Sequence, residues 1–180
     1  MTRHFHDELD ALKQTLLAMG GLVEDQIRRA MRALLERDDV IAQEVIDRDR
    51  QVNTYDVEVD EQCVNLLALH QPAASDLRFI TTALKIVTDL ERMGDLAVNI
   101  AERAIDLSQA PPLRPFHDLQ SLAGLTQVQL KKALDAFVEG DVERAEEVMA
   151  GDQLLDALYL KIFTNPSAQR TEDYVTGKFG

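Results

Sequence analysis

Cysteine occurs once in this 180-residue chain, at Cys63, so no intrachain disulfide can form. No second sulfur ligand stands near it to suggest zinc, and its helical neighbours Val59, Leu66 and Leu67 make it a small core hydrophobe. Tryptophan is absent, and there are only six Phe and three Tyr. Ala, Leu, Val, Asp and Glu dominate instead, a composition that suits helices better than sheet. No apolar run approaches the roughly 20 residues a membrane span needs. Residues 1–10 lack the apolar core of a signal peptide. The expectation is a cytoplasmic protein that reaches a membrane only through a partner.

Basic residues are also scarce. There are 19 Lys and Arg against 32 Asp and Glu, a formal net charge of -13. Such a chain repels phosphate backbones, which argues against direct nucleic-acid binding. It attracts cations and basic protein surfaces, although plain solubility accounts for the same charge. The usual catalytic patterns are missing as well. Glu-x-x-His, His-Glu-x-x-His and a Gly-rich phosphate loop do not occur. His4, His6, His70 and His117 are scattered and read as surface residues. With no nucleophile, base and acid set, the chain reads as a binding protein and not an enzyme.

What the chain does have is helical periodicity. Phe5, Leu9, Leu12, Leu16, Met19, Val23, Ile27, Ala30 and Leu34 recur in steps of three and four. This predicts a first helix over about 5–37. Asp38 and Asp39 supply a break and an N-cap. A second helix carries Ile41, Val45, Val52, Tyr55, Val59, Leu66 and Leu69 to about residue 70, where Gln71-Pro72 ends it. Ser75 and Asp76 are expected to cap a third helix with the stripe Leu77, Ile80, Leu84, Val87, Leu90, Met93, Ala97, Ile100, Ala104 and Leu107. Apolar residues on more than one side predict that this helix is the most buried. After Pro111-Pro112 and Pro115, a fourth helix is expected over about 116–139 and a fifth to about 163. Long helices with short connections make antiparallel bundle neighbours.

The chain also repeats itself. Shifted by 103 positions, residues 21–53 align without a gap on 124–156, with 11 identities in 33 positions. Gln26 meets Gln129, Asp38 meets Asp141, and Asp49 meets Asp152. A duplicated helical unit follows. The fold class is therefore all-α, with up-down three-helix bundles in tandem. A complete bundle spans 1–110, an incomplete two-helix bundle 113–163, and an irregular tail 164–180.

One constellation on the third helix could carry chemistry. Glu91, Asp95 and Asn99 are four apart and share a helical face. Two carboxylates one turn apart repel unless a cation or donor sits between them. Oxygen ligands suit hard cations, or iron and zinc with further ligands. Gly94 leaves room for a helix or ion to approach. Pairing with Arg92 or Arg103, or exposure to solvent, explains the same residues without a ligand. A polar row of Asp49, Asn53, Asp56 and Asp60 on the second helix is a solvated face, or completes this site if the helices are neighbours. At the start of the third helix, Asp76 and Arg78 follow the proline turn, where an exposed arginine is placed to meet another protein.

The segment Gln71-Pro72-Ala73-Ala74-Ser75-Asp76-Leu77-Arg78, followed by Asp89-Leu90-Glu91-Arg92-Met93-Gly94-Asp95 and Asn99-Ile100, resembles the PhoU family. That family's signature is a Q-P-x-A-x-D-L-R turn and then an acid-R-x-G-D-x-x-x-N-I run. Asp49 and Asn53 match a D-x-x-x-N feature of its second helix. The resemblance covers about 5–160. It implies tandem three-helix bundles that regulate the phosphate-specific ABC transporter and the phosphate-sensing histidine kinase. It also implies an iron or zinc site on Glu91 and Asp95, with Asp49 and Asn99 as further candidates; magnesium is a third candidate ion. The second acidic helix of the repeat would fall near about position 194, so the third helix of copy two is expected to be missing. In its place, residues 164–180, with Thr171-Glu172-Asp173-Tyr174-Val175-Thr176-Gly177-Lys178-Phe179-Gly180, look like the tail of the phosphate transporter's ATPase subunit. Two helices cannot cover their own apolar faces, so a homodimer is expected. The rival readings are a metal-binding helical protein without a signalling role and a truncated, non-functional scaffold.

Overall fold

The computed structural model describes residues 2–110 and 117–164. The proline break at 111–115 and nearly all of the tail read over 164–180 lie outside the described residues. Within them are five helices and no strand: α1 (Thr2–Glu36), α2 (Asp39–His70), α3 (Ala74–Ser108), α4 (His117–Glu139) and α5 (Val142–Thr164). The chain divides into two compact units, Met1–Pro112 and Leu113–Gly180.

In the first unit, α1, α2 and α3 pack against one another pairwise. Their inward residues follow an alternating three-four spacing. On α1 the buried positions are Leu9, Leu12, Leu16, Met19, Val23, Gln26, Ala30 and Ala33, with Ile27 and Met31 beside them. On α3 they are Ile80, Ala83, Val87, Leu90, Gly94, Ala97, Ala101 and Ala104. Seven-residue repeats of this kind keep each seam turned to its partners along the whole bundle. On α2 the same spacing selects Ala42, Val45, Asp49, Val52, Asp56, Val59, Cys63 and Leu66. Asp49 and Asp56 thus stand in a row that is otherwise apolar, and both are half-buried. Cys63 packs as expected. It is fully buried, donates weakly to the Ile80 carbonyl at 3.8 Å, and burial first, then Asp60, pushes its thiol up to about 11.

Four expectations need correction. α1, not α3, is the most buried helix, because the second half of the α3 seam is Gly and Ala, which bury little side chain. Leu69 and Leu77 face outward, at 71% and 42% exposure. Each stands one position off its helix's buried seam, beside His70 and Asp76, and so points away from the bundle interior. Ser75 and Asp76 do not cap α3. The chain is extended at Ala73 and left-handed at Gln71, so the helix begins earlier, at Ala74, and its N-cap makes no side-chain hydrogen bond. Asp76 instead lies in the first turn, where its charge suits the helix dipole. His70 is not an isolated surface histidine: it meets Glu8 at 2.7 Å and packs on Phe5, while His4 reaches the same carboxylate at 3.2 Å.

The duplication is visible in the two helix-to-helix turns. Asp38 N donates to Ala33 O at 3.0 Å, and Asp141 N to Ala136 O at 2.9 Å. Asp38 Oδ1 accepts from Val40 N and Ile41 N, and Asp141 Oδ1 accepts from Arg144 N. Both are N-caps at repeat-related positions. Just before each cap the backbone turns left-handed, at Arg37 (φ 58°) and Gly140 (φ 69°). Glycine adopts that conformation freely, whereas arginine is strained there. Arg37 compensates with its side chain. Its guanidinium donates to the carbonyls of Leu107, at 2.7 Å, Ser108, at 2.8 Å, and Ala110, which satisfies the C-terminal end of α3. A cross-helix ion pair also recurs: Arg29 to Glu44 at 3.0 Å, and Lys132 to Glu147 at 3.4 Å.

The second unit consists, among the described residues, of the antiparallel pair α4 and α5. Leu134, Ala136 and Ile162 are buried. Val128, Val142, Met149, Leu154, Tyr159 and Leu160 are each at least half exposed. A shallow apolar hollow lined by Ala133, Ala136, Phe137, Ala145 and Val148 opens along the pair.

Candidate functional site

The pairing of α2 with α3 turns two separate polar rows into one face. Asp49 and Asp56 come from the α2 seam, Glu91 and Asp95 from the flank of α3. Asp49 Oδ2 accepts from Asn53 Nδ2 at 3.0 Å. Its other oxygen, Oδ1, is buried and has no hydrogen-bond partner. Burial first, and then the negative charge of Asp95, push the Asp49 carboxyl above its ordinary value, against the pull of the Asn53 hydrogen bond. Glu91 is raised in the same way by desolvation, then by Asp95, Asp56 and Asp49, with Arg92 opposing. Four carboxylates therefore sense one another across two helices, which spacing on one helix could not establish.

Gly94 lies within this face, and the room it leaves is taken by protein. A Cβ there would come to 3.2 Å from Gln26 Oε1 and 3.2 Å from Val52 Cγ1. Gln26, on α1, is 1% exposed, and neither end of its amide has a partner. Sequence reasoning noted this residue only as an identity in the repeat. Its place on a three-four seam was the available signal.

The other sequence candidates lie apart. Asn99 is exposed one turn beyond Asp95. Asp76 and Arg78 sit at the start of α3, about 20 Å along the helix from Glu91. Arg78 is exposed there and Asp76 half-buried.

As a cation site, the face has the right donor chemistry, all oxygen, with one carboxylate oxygen unpaired and mutual repulsion to relieve. Among the described residues no three His, Cys, Asp or Glu side chains converge closely enough to hold a metal ion. The fit is thus to an ion held by a pair of carboxylates and water. A pair drawn from Asp49, Asp56, Glu91 and Asp95 would supply the ligands.

The PhoU domain family matches residues 16–104 and 119–173, one stretch in each unit. The chain belongs to the PhoU family. The second stretch extends to residue 173, into the segment whose structure lies outside the described residues. The chain is 41% identical, over 160 residues, to the phosphate-specific transport system accessory protein PhoU homolog of Pseudomonas putida, an alignment that covers 88% of this chain and 62% of that one. It is 38% identical to the homolog of Aquifex aeolicus, covering 84% and 69%. The chain thus spans just under two thirds of the length of the Pseudomonas relatives. Among solved structures, PhoU from Pseudomonas aeruginosa superposes with a TM-score of 0.82 at 38% identity, covering 95% of this chain and 87% of that one. The phosphate transport system regulatory protein PhoU from Streptococcus pneumoniae gives 0.81 at 28% identity, covering 96% and 86%. The all-helical architecture of the family is the one found here.

Proposed function

We propose that the chain regulates phosphate uptake and phosphate-starvation signalling, restraining both when phosphate is plentiful. It acts by binding, without catalysis, in the cytoplasm. Its partners are the ATPase subunit of the phosphate ABC transporter and the phosphate-sensing histidine kinase. The observation that carries this reading is the shared α2–α3 carboxylate face on a PhoU-family bundle, together with the accessory role named for the relatives. Among the described residues no helix is long and apolar enough to cross a membrane, so contact with a membrane system runs through partner proteins in this reading.

In this reading a divalent cation, iron, zinc or magnesium, is held by a pair drawn from Asp49, Glu91 and Asp95, with water completing its shell, and offsets their charge. Arg78 offers a cation to the partner from the end of the bundle. A second copy of the chain covers the apolar residues left exposed on α4 and α5, in a two-fold four-helix arrangement.

Binding of the purified chain to immobilised ATPase subunit and to the kinase, measured with and without cation, tests the proposal. Arg78→Ala is expected to weaken binding about tenfold, a loss of ~1.4 kcal/mol, with helical content unchanged. No binding to either partner, at any cation concentration, would sink the regulatory reading.

A further inference from the structure

Gln26 occupies a seam position that its neighbours on α1 fill with Leu, Met, Val and Ala, and it is almost wholly buried. Its amide nitrogen and oxygen both lack hydrogen-bond partners, and so does the buried Oδ1 of Asp49. Buried polar groups are rarely left so, because each has given up water without replacement. The residues that carry these three atoms lie within about one helical turn of each other along the bundle. Arg48 Nη1 on α2 reaches Asp25 Oδ2 on α1 at 3.3 Å, which sets those two positions side by side. Gln26 and Asp49 are the adjacent residues, each about 1.5 Å of helical rise away, and both are seam positions turned to the core. Gly94 brings α3 to the same place, since a Cβ there would sit 3.2 Å from the Gln26 oxygen.

The second unit shows what the same glutamine does where the counterpart of Asp49, Asp152, is exposed. Gln129, the repeat counterpart of Gln26, donates its amide to the Val148 carbonyl at 3.3 Å. It can do so because Gly151 leaves the space: a Cβ there would fall 1.8 Å from the amide nitrogen. The counterpart of Gly151 in the first unit is Arg48, whose side chain closes that route. The amide of Gln26 is therefore diverted from the backbone toward α2 and α3.

We propose that Gln26 is a positioning residue for the carboxylate face: its side-chain N–H donates to one enclosed water that in turn donates to Asp49 Oδ1, and this link holds that carboxylate toward Asp95. The Gln26–Asp49 pair stands independently of the cation reading. Its consequence for cation affinity rests on that reading.

Thermal unfolding of the full chain, its Gln26→Met and Asp49→Val variants, and the double variant tests the pair. Each single substitution should lower the midpoint by stranding the other group. The double variant, with an apolar layer, should recover to the parent value or above. In parallel, the carboxyl 13C resonance of Asp49 should move in Gln26→Met and stay in place in Gln129→Met. Titration with Mg2+ or Mn2+ should show about tenfold weaker binding by Gln26→Met, as for other residues that orient a ligand from behind. Additive midpoint losses with an unmoved Asp49 resonance would overturn the proposal, whatever the cation titration gives. Coupled losses in a protein that binds no cation would uphold the positioning pair and overturn the cation reading alone.

Discussion

The two units are built on the same helix-turn-helix, and the differences between them separate what the turn does from what a third helix does. Both turns close with an aspartate cap, a left-handed residue and a repeated cross-helix ion pair. In the first unit α3 covers the seams of α1 and α2, and Leu12, Leu16, Met19, Val45, Val52 and Val59 are fully buried. In the second unit the counterparts of Val45 and Val52, Val148 and Leu155, are only half-buried, and Ala145, the counterpart of the buried Ala42, is exposed. The turn thus pairs two helices locally, but burial depends on a third surface. The comparison also explains why arginine can stand where glycine would be expected. Arg37 repays its strained backbone by capping α3, a role for which Gly140 has no side chain.

The largest effect should come from removing covered apolar volume. Leu16→Ala should cost about 2–5 kcal/mol in chemical denaturation. Leu154→Ala in a monomer should cost about 0.5 kcal/mol or less, as for other exposed sites. If instead Leu154→Glu converts a dimer to a monomer by light scattering, the open face is an interface between copies. A chain that is monomeric at micromolar concentration, and unfolds cooperatively, would show that α4 and α5 have found cover of their own.

Next in size is the end of α3. Arg37→Ala removes the side-chain donor from the Ser108 and Ala110 carbonyls, while Leu107 O keeps Ala110 N, and retains the left-handed strain, so a loss of about 1–3 kcal/mol is expected. Gly140→Ala introduces that strain without removing any bond and should cost about 1 kcal/mol. No loss from Arg37→Ala would mean that the guanidinium contributes nothing. Comparable to the Gly140 effect, Asp38→Ala and Asp141→Ala should each cost about 1 kcal/mol, and similar values would establish that the two caps act alike.

The smallest effects concern pH, and two carboxylates of the first unit should respond with opposite signs. Asp49 is raised, chiefly by burial and then by Asp95. The folded state therefore favours its protonated form. The associated stability is present below the ordinary carboxylate range and is lost as pH rises through the raised value. Asp25 is held below its usual value: burial pushes it upward, but hydrogen bonds and charge from Arg29 and Arg28 outweigh burial. Its contribution is present above the ordinary range and lost as pH falls through the lowered value. Asp49→Asn should thus raise the unfolding midpoint near neutral pH relative to the parent, while Asp25→Asn should lower it. A midpoint at neutral pH lowered by both substitutions would break the contrast.

Helix identity and extent were legible in the chain because apolar spacing, Pro72 and the Asp38 and Asp141 caps act over a few residues. The start of α3 was less so. Ser75 and Asp76 are both good caps, and only the extended conformation at Ala73 decided between starting points. The acidic row on α3 was legible as a row, since residues four apart share a face whatever surrounds them. Its company was not. Nothing in the spacing of Asp49 and Asp56 says which residues of α3 they meet, and the seam position of Gln26 does not say whether its amide finds a partner. His70 and Glu8 were separated by most of two helices and met only because α1 and α2 run antiparallel.

By itself the sequence determined five helices, the repeat that relates the two turns, and the positions where a polar residue interrupts an apolar seam. These are consequences of short-range backbone chemistry and of a fixed helical period. The tertiary structure alone decided which helix is most deeply buried, which carboxylates raise one another's pKa, and where Gln26 meets Gly94. Those depend on the register between helices, and register is set by how whole seams interlock, a property of all three helices together and of no single stretch of chain.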